Sequence, residues 1–243
     1  MRVILLDIEG TTTPIRFVYD VLFPYARARM RAFIASHIDQ PDFSSTLHAL
    51  IQESAVEHAN DASAPSLDGV TEDAARADRV ADFALWLMDH DRKSTPLKEI
   101  QGQIWQEGYV QGEILGEVYA DVPAAMQRWK NNGLRVAIYS SGSVQAQKLI
   151  FGYSTAGDLR AHIDAYFDTT TGPKKEAQSY VDIARALDVN PEDILFLSDN
   201  DAELRAARAA GVQVRLAVRP GNAPVEGDAF VRVQDFEPER IGV

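Results

Sequence analysis

The 243-residue chain has no cysteine, which excludes disulfides, thiolate nucleophiles and cysteine-built zinc sites. Its five histidines (His37, His48, His58, His90 and His162) show neither HxxxH nor HxH spacing, so a histidine-built metal centre is not expected. Positive charge is scarce: 24 Lys and Arg stand against 36 Asp and Glu, a formal net charge of −12. That balance argues against nucleic acid and anionic membrane surfaces as partners. No apolar run reaches membrane-spanning length, and no cleavable signal pattern precedes the first apolar run, so the cytoplasm is the expected compartment. The acidity also constrains any anionic substrate. A phosphate site here must be made locally positive by a metal, a lysine or helix N-termini.

What is present is ordinary for a soluble globular chain: 46% hydrophobic and 25% charged residues, with length enough for one large domain or two smaller ones. The first apolar run, Val3 to Leu6, delivers Asp7 and Glu9 into a turn made of Gly10, Thr11, Thr12 and Thr13. Such a run reads as a strand buried on both faces. Helical spacing then runs from Phe17 to His37, from Phe43 to His58, from Glu72 to Met88 and from Pro96 to Tyr109, with a turn-rich loop at 60–69. No convincing strand is expected between Phe17 and Tyr119.

The rhythm changes after Asp121-Val122-Pro123. A helix from Pro123 stops at Asn131-Asn132-Gly133, and a strand over Arg135 to Tyr139 ends in Ser140-Ser141-Gly142-Ser143. A helix from Gln145, a short strand over Ala165 to Phe167 and a helix over Glu176 to Leu187 follow. Ile194 to Leu197 is a strand ending in Ser198-Asp199-Asn200-Asp201, Ala202 to Ala210 is a helix, and Val212 to Val218 is expected to be the final strand. Alternating strands and helices imply a parallel sheet. The expected fold is α/β, a Rossmann-like parallel-sheet core with helices on both faces, built from residues 1–15 and 120–243 and interrupted by an all-helical cap over 16–119. The cap, inserted just after the first strand, would lie over the carboxyl edge of the sheet, where ligands bind and a lid belongs.

Each strand ends in a different useful group: Asp7 and Glu9, then Ser140 and Ser141, then Lys174 and Lys175 in the 171–175 loop, then Asp199. Singly, these are ordinary turns, caps and surface lysines. Converging at one sheet edge, they fit phosphoryl transfer. Asp7 and Asp199 offer hard oxygen ligands for Mg²⁺, the serine hydroxyls and nearby backbone N–H groups can hold phosphate oxygens, and a lysine neutralises the remaining charge.

The order and placement of these motifs resemble the haloacid dehalogenase-like superfamily, and within it the enolase-phosphatases of methionine salvage. DIEGTTTPI, YSSGS, TGPK followed by SY, and FLSDN followed by Glu203 carry the resemblance in the core. DRKSTPLKEIQGQIWQEGY (residues 91–109), YADVP (119–123) and RPGNAP (219–224) extend it over essentially the whole chain. The resemblance implies one Mg²⁺ held by Asp7, Asp199 and the carbonyl of Glu9, with substrate phosphate on Ser140, Ser141 and Lys174. It implies Glu203 just outside the metal ligands. It further implies that 2,3-diketo-5-methylthiopentyl-1-phosphate is enolised and then hydrolysed. For hydrolysis Asp7 is expected to be the nucleophile and Glu9 the acid/base, and the base for enolisation is either Glu9 or a polar residue of the cap. Glu9, where most phosphatases of the superfamily carry Asp, supports the narrower family. Arg92, Lys93, Lys98, Gln101 and Trp105 are candidates for enclosing the substrate, a small phosphorylated diketone. A monomer is the working expectation.

Three other enzymes or modules share part of this set. A broad-specificity sugar-phosphate phosphatase has the core chemistry and differs in the cap motif. A 2-haloacid dehalogenase needs neither Mg²⁺ nor an acid at Glu9. A phospho-receiver module is about half this length, with its phosphoacceptor on a later strand.

Overall fold

A computed structural model describes residues 1–72 and 75–242. The chain divides into two compact units, one of Met1–Val21 with Gly112–Val243 and one of Leu22–Gln111. Strand β1 (Val3–Leu6) opens the first unit, and a π-helical turn, Phe17–Leu22, leads out of it.

The second unit is helical: α1 (Phe23–His37), α2 (Ser44–Asn60), α3 (Arg76–Asp89) and α4 (Thr95–Val110). Of the helix expected from Glu72, residues 73 and 74 lie outside the described residues, and α3 takes up the pattern at Arg76. Met30, Ile34, Leu50, Phe83, Leu87, Ile100 and Ile104, all fully buried, share one core across these four helices. Pairs four residues apart, such as Met30 and Ile34, put these side chains on one face of their helix, the spacing by which a helix is read. Among the described residues, no helix is long and apolar enough to cross a membrane.

The first unit holds a six-stranded, all-parallel sheet. After β1 come α5 (Val122–Asn131), β2 (Arg135–Tyr139), α6 (Val144–Gly152), β3 (Ala165–Phe167) and α7 (Ala177–Ala186). They are followed by β4 (Ile194–Ser198), α8 (Asp201–Ala209), β5 (Gln213–Ala217), β6 (Arg232–Val233) and α9 (Pro238–Ile241). The spatial order is β3-β2-β1-β4-β5-β6. β1 is paired on both sides, Val3 with Arg135 and Ile194 and Leu6 with Ile138 and Leu197, and all four of its residues are fully buried. Val3, Leu5, Ala137 and Tyr139 pack with Tyr180 and Ile183 of α7 and Leu204 and Ala207 of α8. Ile4, Leu6, Val136 and Ile138 alternate to the other face and are buried as completely, with α5 packed on β2 and α6 on β3.

One expectation is corrected. The strand over Val212 to Val218 is not the last: β6 and α9 follow it. β6 has two residues and α9 four, too short for any periodicity to register. The edge is nevertheless closed by backbone bonds from the Leu216 N–H to the Val231 carbonyl (2.9 Å) and from the Val218 N–H to the Val233 carbonyl (2.8 Å).

The chain moves outward from β1 to β3, then crosses back to β4 and continues to β6. The direction reverses between β1 and β4, and the crevice at the carboxyl ends of those strands is where such sheets bind ligands.

Candidate active site

Asp7 is the first residue beyond β1 and is almost fully buried. Its Oδ1 accepts from the Ile8 N–H (2.8 Å) and from Lys174 Nζ (2.6 Å), and its Oδ2 accepts from the Ser198 hydroxyl at 2.9 Å. The carboxylate is thus fixed in one orientation by three donors from three segments. The chain then folds tightly on itself: the Thr11, Thr12 and Thr13 N–H groups all donate to the Ile8 carbonyl at 2.9–3.1 Å. Gly10 makes this turn possible. Its φ is +69°, and a Cβ there would overlap Asp199 Oδ2 and lie 2.8 Å from Asn222 Oδ1. Glu9 projects from the same turn, and its Oε2 accepts from the Ser140 hydroxyl at 3.3 Å.

Ser140 directly follows β2 and is buried, its Oγ also accepting the Gly142 N–H at 3.1 Å. Ser141 is exposed. The turn is pinned by Gln147, whose Nε2 donates to the Gly142 carbonyl (2.9 Å) and the Phe167 carbonyl (2.8 Å), while Ser143 caps α6 through the Ala146 N–H.

Lys174, not Lys175, turns inward: Lys174 is 6% exposed and Lys175 is exposed. Three consecutive carbonyls hold its loop. Gly172 accepts from the Tyr139 hydroxyl (2.8 Å), Pro173 from the Ser179 hydroxyl (2.8 Å) and Lys174 from the Tyr180 hydroxyl (2.7 Å). The ammonium reaches Asp7 at 2.6 Å and Glu203 Oε2 at 2.7 Å.

Asp199 follows β4, and Asn200 caps α8, its Oδ1 accepting the Ala202 and Glu203 N–H groups at 3.0 and 3.4 Å. Glu203, in the first turn of α8, is thereby brought back over the strand end, where its Oε2 lies 3.2 Å from Ser198 Oγ. The single Ser198 proton serves Asp7 or Glu203, one at a time.

Four carboxylates, those of Asp7, Glu9, Asp199 and Glu203, surround one ammonium. Burial and the Asp7 charge push Glu9 above its ordinary range, against the opposing pull of Lys174. Burial, Asp7 and Glu203 raise Asp199 to about 7, and burial and Asp7 raise Glu203 to about 7. Burial disfavours the Lys174 charge, but Asp7, Glu203 and Glu9 outweigh it and hold the lysine protonated. The site therefore has more negative charge than its lysine can offset. A divalent cation fits that deficit. Among the described residues no group of three or more acidic or histidine side chains forms a ready-made cage, and Mg²⁺ commonly takes one or two carboxylates plus waters and substrate oxygens. Asp7, Asp199 and the Glu9 carbonyl suit that pattern.

Several contacts in this unit carried no sequence expectation. Ser198 was visible only as a strand end. Arg219 and Asp121 belong to motifs noted without a role, yet Arg219 is buried and bonded bidentately to Asp121, with its Nε on the Thr11 carbonyl. In the helical unit, Arg92 pairs with Glu57 at 3.0 Å, Trp105 Nε1 donates to the Leu22 carbonyl at 2.8 Å, and Gln101 is buried. Lys93 and Lys98 are exposed.

Comparison with known proteins adds an independent line. Residues 1–211 match the haloacid dehalogenase-like hydrolase family. The chain is 53% identical over 234 residues to enolase-phosphatase E1 of Synechococcus elongatus, covering 96% of this chain and 95% of that one. It is 47% identical over 240 residues to enolase-phosphatase E1 of Drosophila melanogaster, covering 98% and 92%. The crystal structure of the UTR4 protein from Saccharomyces cerevisiae superposes with a TM-score of 0.78 at 37% identity, covering 97% of this chain and 98% of that one.

Proposed function

The chain belongs to the enolase-phosphatase E1 family of the haloacid dehalogenase-like hydrolases, and from that premise we propose how its own residues carry the reaction. It is a phosphatase of methionine salvage. The substrate assigned to it is 2,3-diketo-5-methylthiopentyl-1-phosphate, which is enolised and then hydrolysed to the acireductone and phosphate.

Asp7 is the nucleophile. Its carboxylate oxygen forms a bond to phosphorus while the bond from phosphorus to the substrate oxygen breaks in line. The Glu9 carboxyl gives its proton to the departing oxygen. Water then attacks the aspartyl-phosphate, its proton passes to the Glu9 carboxylate, and the Asp7 carboxylate is restored with release of phosphate. Ser140, Ser141 and Lys174 hold the phosphate oxygens, with the Lys174 charge partly answering theirs. Enzymes of this family are generally Mg²⁺-dependent, and one ion bound by Asp7, Asp199 and the Glu9 carbonyl would supply Lewis-acid charge at the phosphoryl oxygens and at the enolate. Glu9 is also the base proposed for enolisation: its carboxylate takes the proton from the carbon beside the carbonyl, and the carboxyl so formed is the acid that then serves the departing oxygen.

The observation that carries this reading is the division of labour between two carboxylates two residues apart. Asp7 is locked by three donors, whereas the Glu9 carboxyl, which accepts from the Ser140 hydroxyl at 3.3 Å and from its own backbone N–H, is raised by burial and the Asp7 charge toward the protonated form that an acid needs. Asp7→Asn should abolish phosphate release from the diketo-phosphate, and Glu9→Gln should slow it about 10²–10⁴-fold. A transient enol absorbance should accompany phosphate release only with Mg²⁺ present. Substantial turnover by Asp7→Asn removes Asp7 from its role. Release from many sugar phosphates, with the diketo compound a poor substrate, points instead to a generic phosphatase.

A further inference from the structure

The turn that carries Glu9 is held from outside as well as from within. Three consecutive carbonyls point away from it, and each accepts a separate donor: Gly10 from Asn222 Nδ2 (2.9 Å), Thr11 from Arg219 Nε (3.1 Å) and Thr12 from the Tyr119 N–H (2.9 Å). These donors come from two segments remote in sequence, 119–123 and 219–224, that meet through one ion pair. Arg219 Nη1 and Nη2 bond the two Asp121 carboxylate oxygens at 2.9 and 2.8 Å, and Nη1 also donates to the Gln234 carbonyl at 2.9 Å. Asp121 Oδ2 additionally accepts the Phe236 N–H at 2.8 Å. The guanidinium lies 4.6 Å from the ring centre of Tyr119 and 4.3 Å from that of Phe236. The planar fork is what lets one side chain serve Asp121, Gln234 and Thr11 together, which an ammonium cannot do.

We propose that Arg219, braced by Asp121 and assisted by Asn222, is a positioning residue for Glu9. It fixes the turn so that the Glu9 carboxyl is presented to the leaving oxygen. Asp7 does not depend on it, because Asp7 lies on the strand end and is held by Lys174, Ser198 and the Ile8 N–H. Loss of the clamp should therefore impair proton delivery and spare nucleophilic attack. The inference rests on the reading of Glu9 as proton donor.

The two steps separate by leaving group, since a good leaving group departs without a proton. With enzyme in excess and Mg²⁺ saturating for each variant, because the Glu9 carbonyl on the same turn is a proposed metal ligand, release of the phenol is measured from phenyl phosphate and from 4-nitrophenyl phosphate. Glu9→Gln serves as reference and should lose about 10²-fold on phenyl phosphate but stay within ~3-fold on the nitrophenyl ester. Arg219→Lys should show the same split, with a loss of roughly 10-fold or more on phenyl phosphate only. Asn222→Ala leaves the ion pair in place and removes the Gly10 bond together with a longer one to the Ala217 carbonyl (3.3 Å), so it should split in the same sense to a smaller extent and serves if Arg219→Lys does not fold. Equal losses on both esters, or no loss on either, overturn the clamp. Equal losses for Glu9→Gln overturn the proton-donor reading instead, and the inference with it.

Discussion

A methyl group at Gly10 would meet two oxygens at once, Asp199 Oδ2 and Asn222 Oδ1, in a backbone conformation with φ at +69°. A non-glycine residue in that region costs about 1–2 kcal/mol before any clash. The clash is the more informative part. Asp199 is a proposed metal ligand and Asn222 holds the Gly10 carbonyl, so whichever of them yields, the turn or the ligand moves. Gly10→Ala should lower the melting temperature and raise the Mg²⁺ concentration for half-maximal phosphatase activity roughly tenfold or more, about 1.4 kcal/mol or greater. A Mg²⁺ titration alongside thermal melting checks both. An unchanged Mg²⁺ midpoint would mean that Asp199 is not held against this turn for the metal's sake.

At the level of elements, Asn200 shows how a strand end becomes a site. It caps α8, and the first turn of α8 then carries Glu203 to Lys174 and Ser198. Asn200→Ala should cost about 1 kcal/mol in urea unfolding, and Asn200→Ser, which restores an acceptor, should recover most of it. A wild-type midpoint for Asn200→Ala would show that tertiary packing alone holds the helix start. The elements themselves were largely readable. β1, β2 and β3 coincide with short apolar runs bounded by turn residues, and the four helices of the second unit follow their buried spacing. β6 and α9 were not readable, because two and four residues carry no period. The site divides in the same way. Asp7, Glu9, Ser140, Lys174 and Asp199 advertise their chemistry by residue type at strand ends. The roles of Arg219, Asp121 and Asn222 do not, since the turn they hold presents only backbone carbonyls, at Gly10 and Thr11, about two hundred residues before Arg219 and Asn222. A side chain that pairs with a distant carbonyl leaves no spacing to detect.

Across the whole molecule, a chain of net charge −12 gathers four carboxylates about one buried lysine, so the site shares the excess of the protein around it. Burial and the neighbouring Asp7 charge push Asp199 and Glu203 up to about 7 in the folded protein, from ordinary values of 3.8 and 4.5. Between about pH 4 and pH 7 the folded state therefore keeps protons that the unfolded chain has released, and stability falls as pH rises through that window. Mg²⁺ at the proposed site would bind the ionised carboxylates and stabilise by mass action, so its effect should grow over the same range. The melting temperature of EDTA-treated protein should decline from pH 5 to pH 8, and millimolar Mg²⁺ should raise it little at pH 5 and by several degrees at pH 8. General self-repulsion would give a decline of the same sign. Glu203→Gln separates the two, since it changes the net charge by one yet removes a group whose titration falls inside the window. The decline should become markedly shallower in that variant if the site carries it, and stay parallel to wild type if the overall charge does.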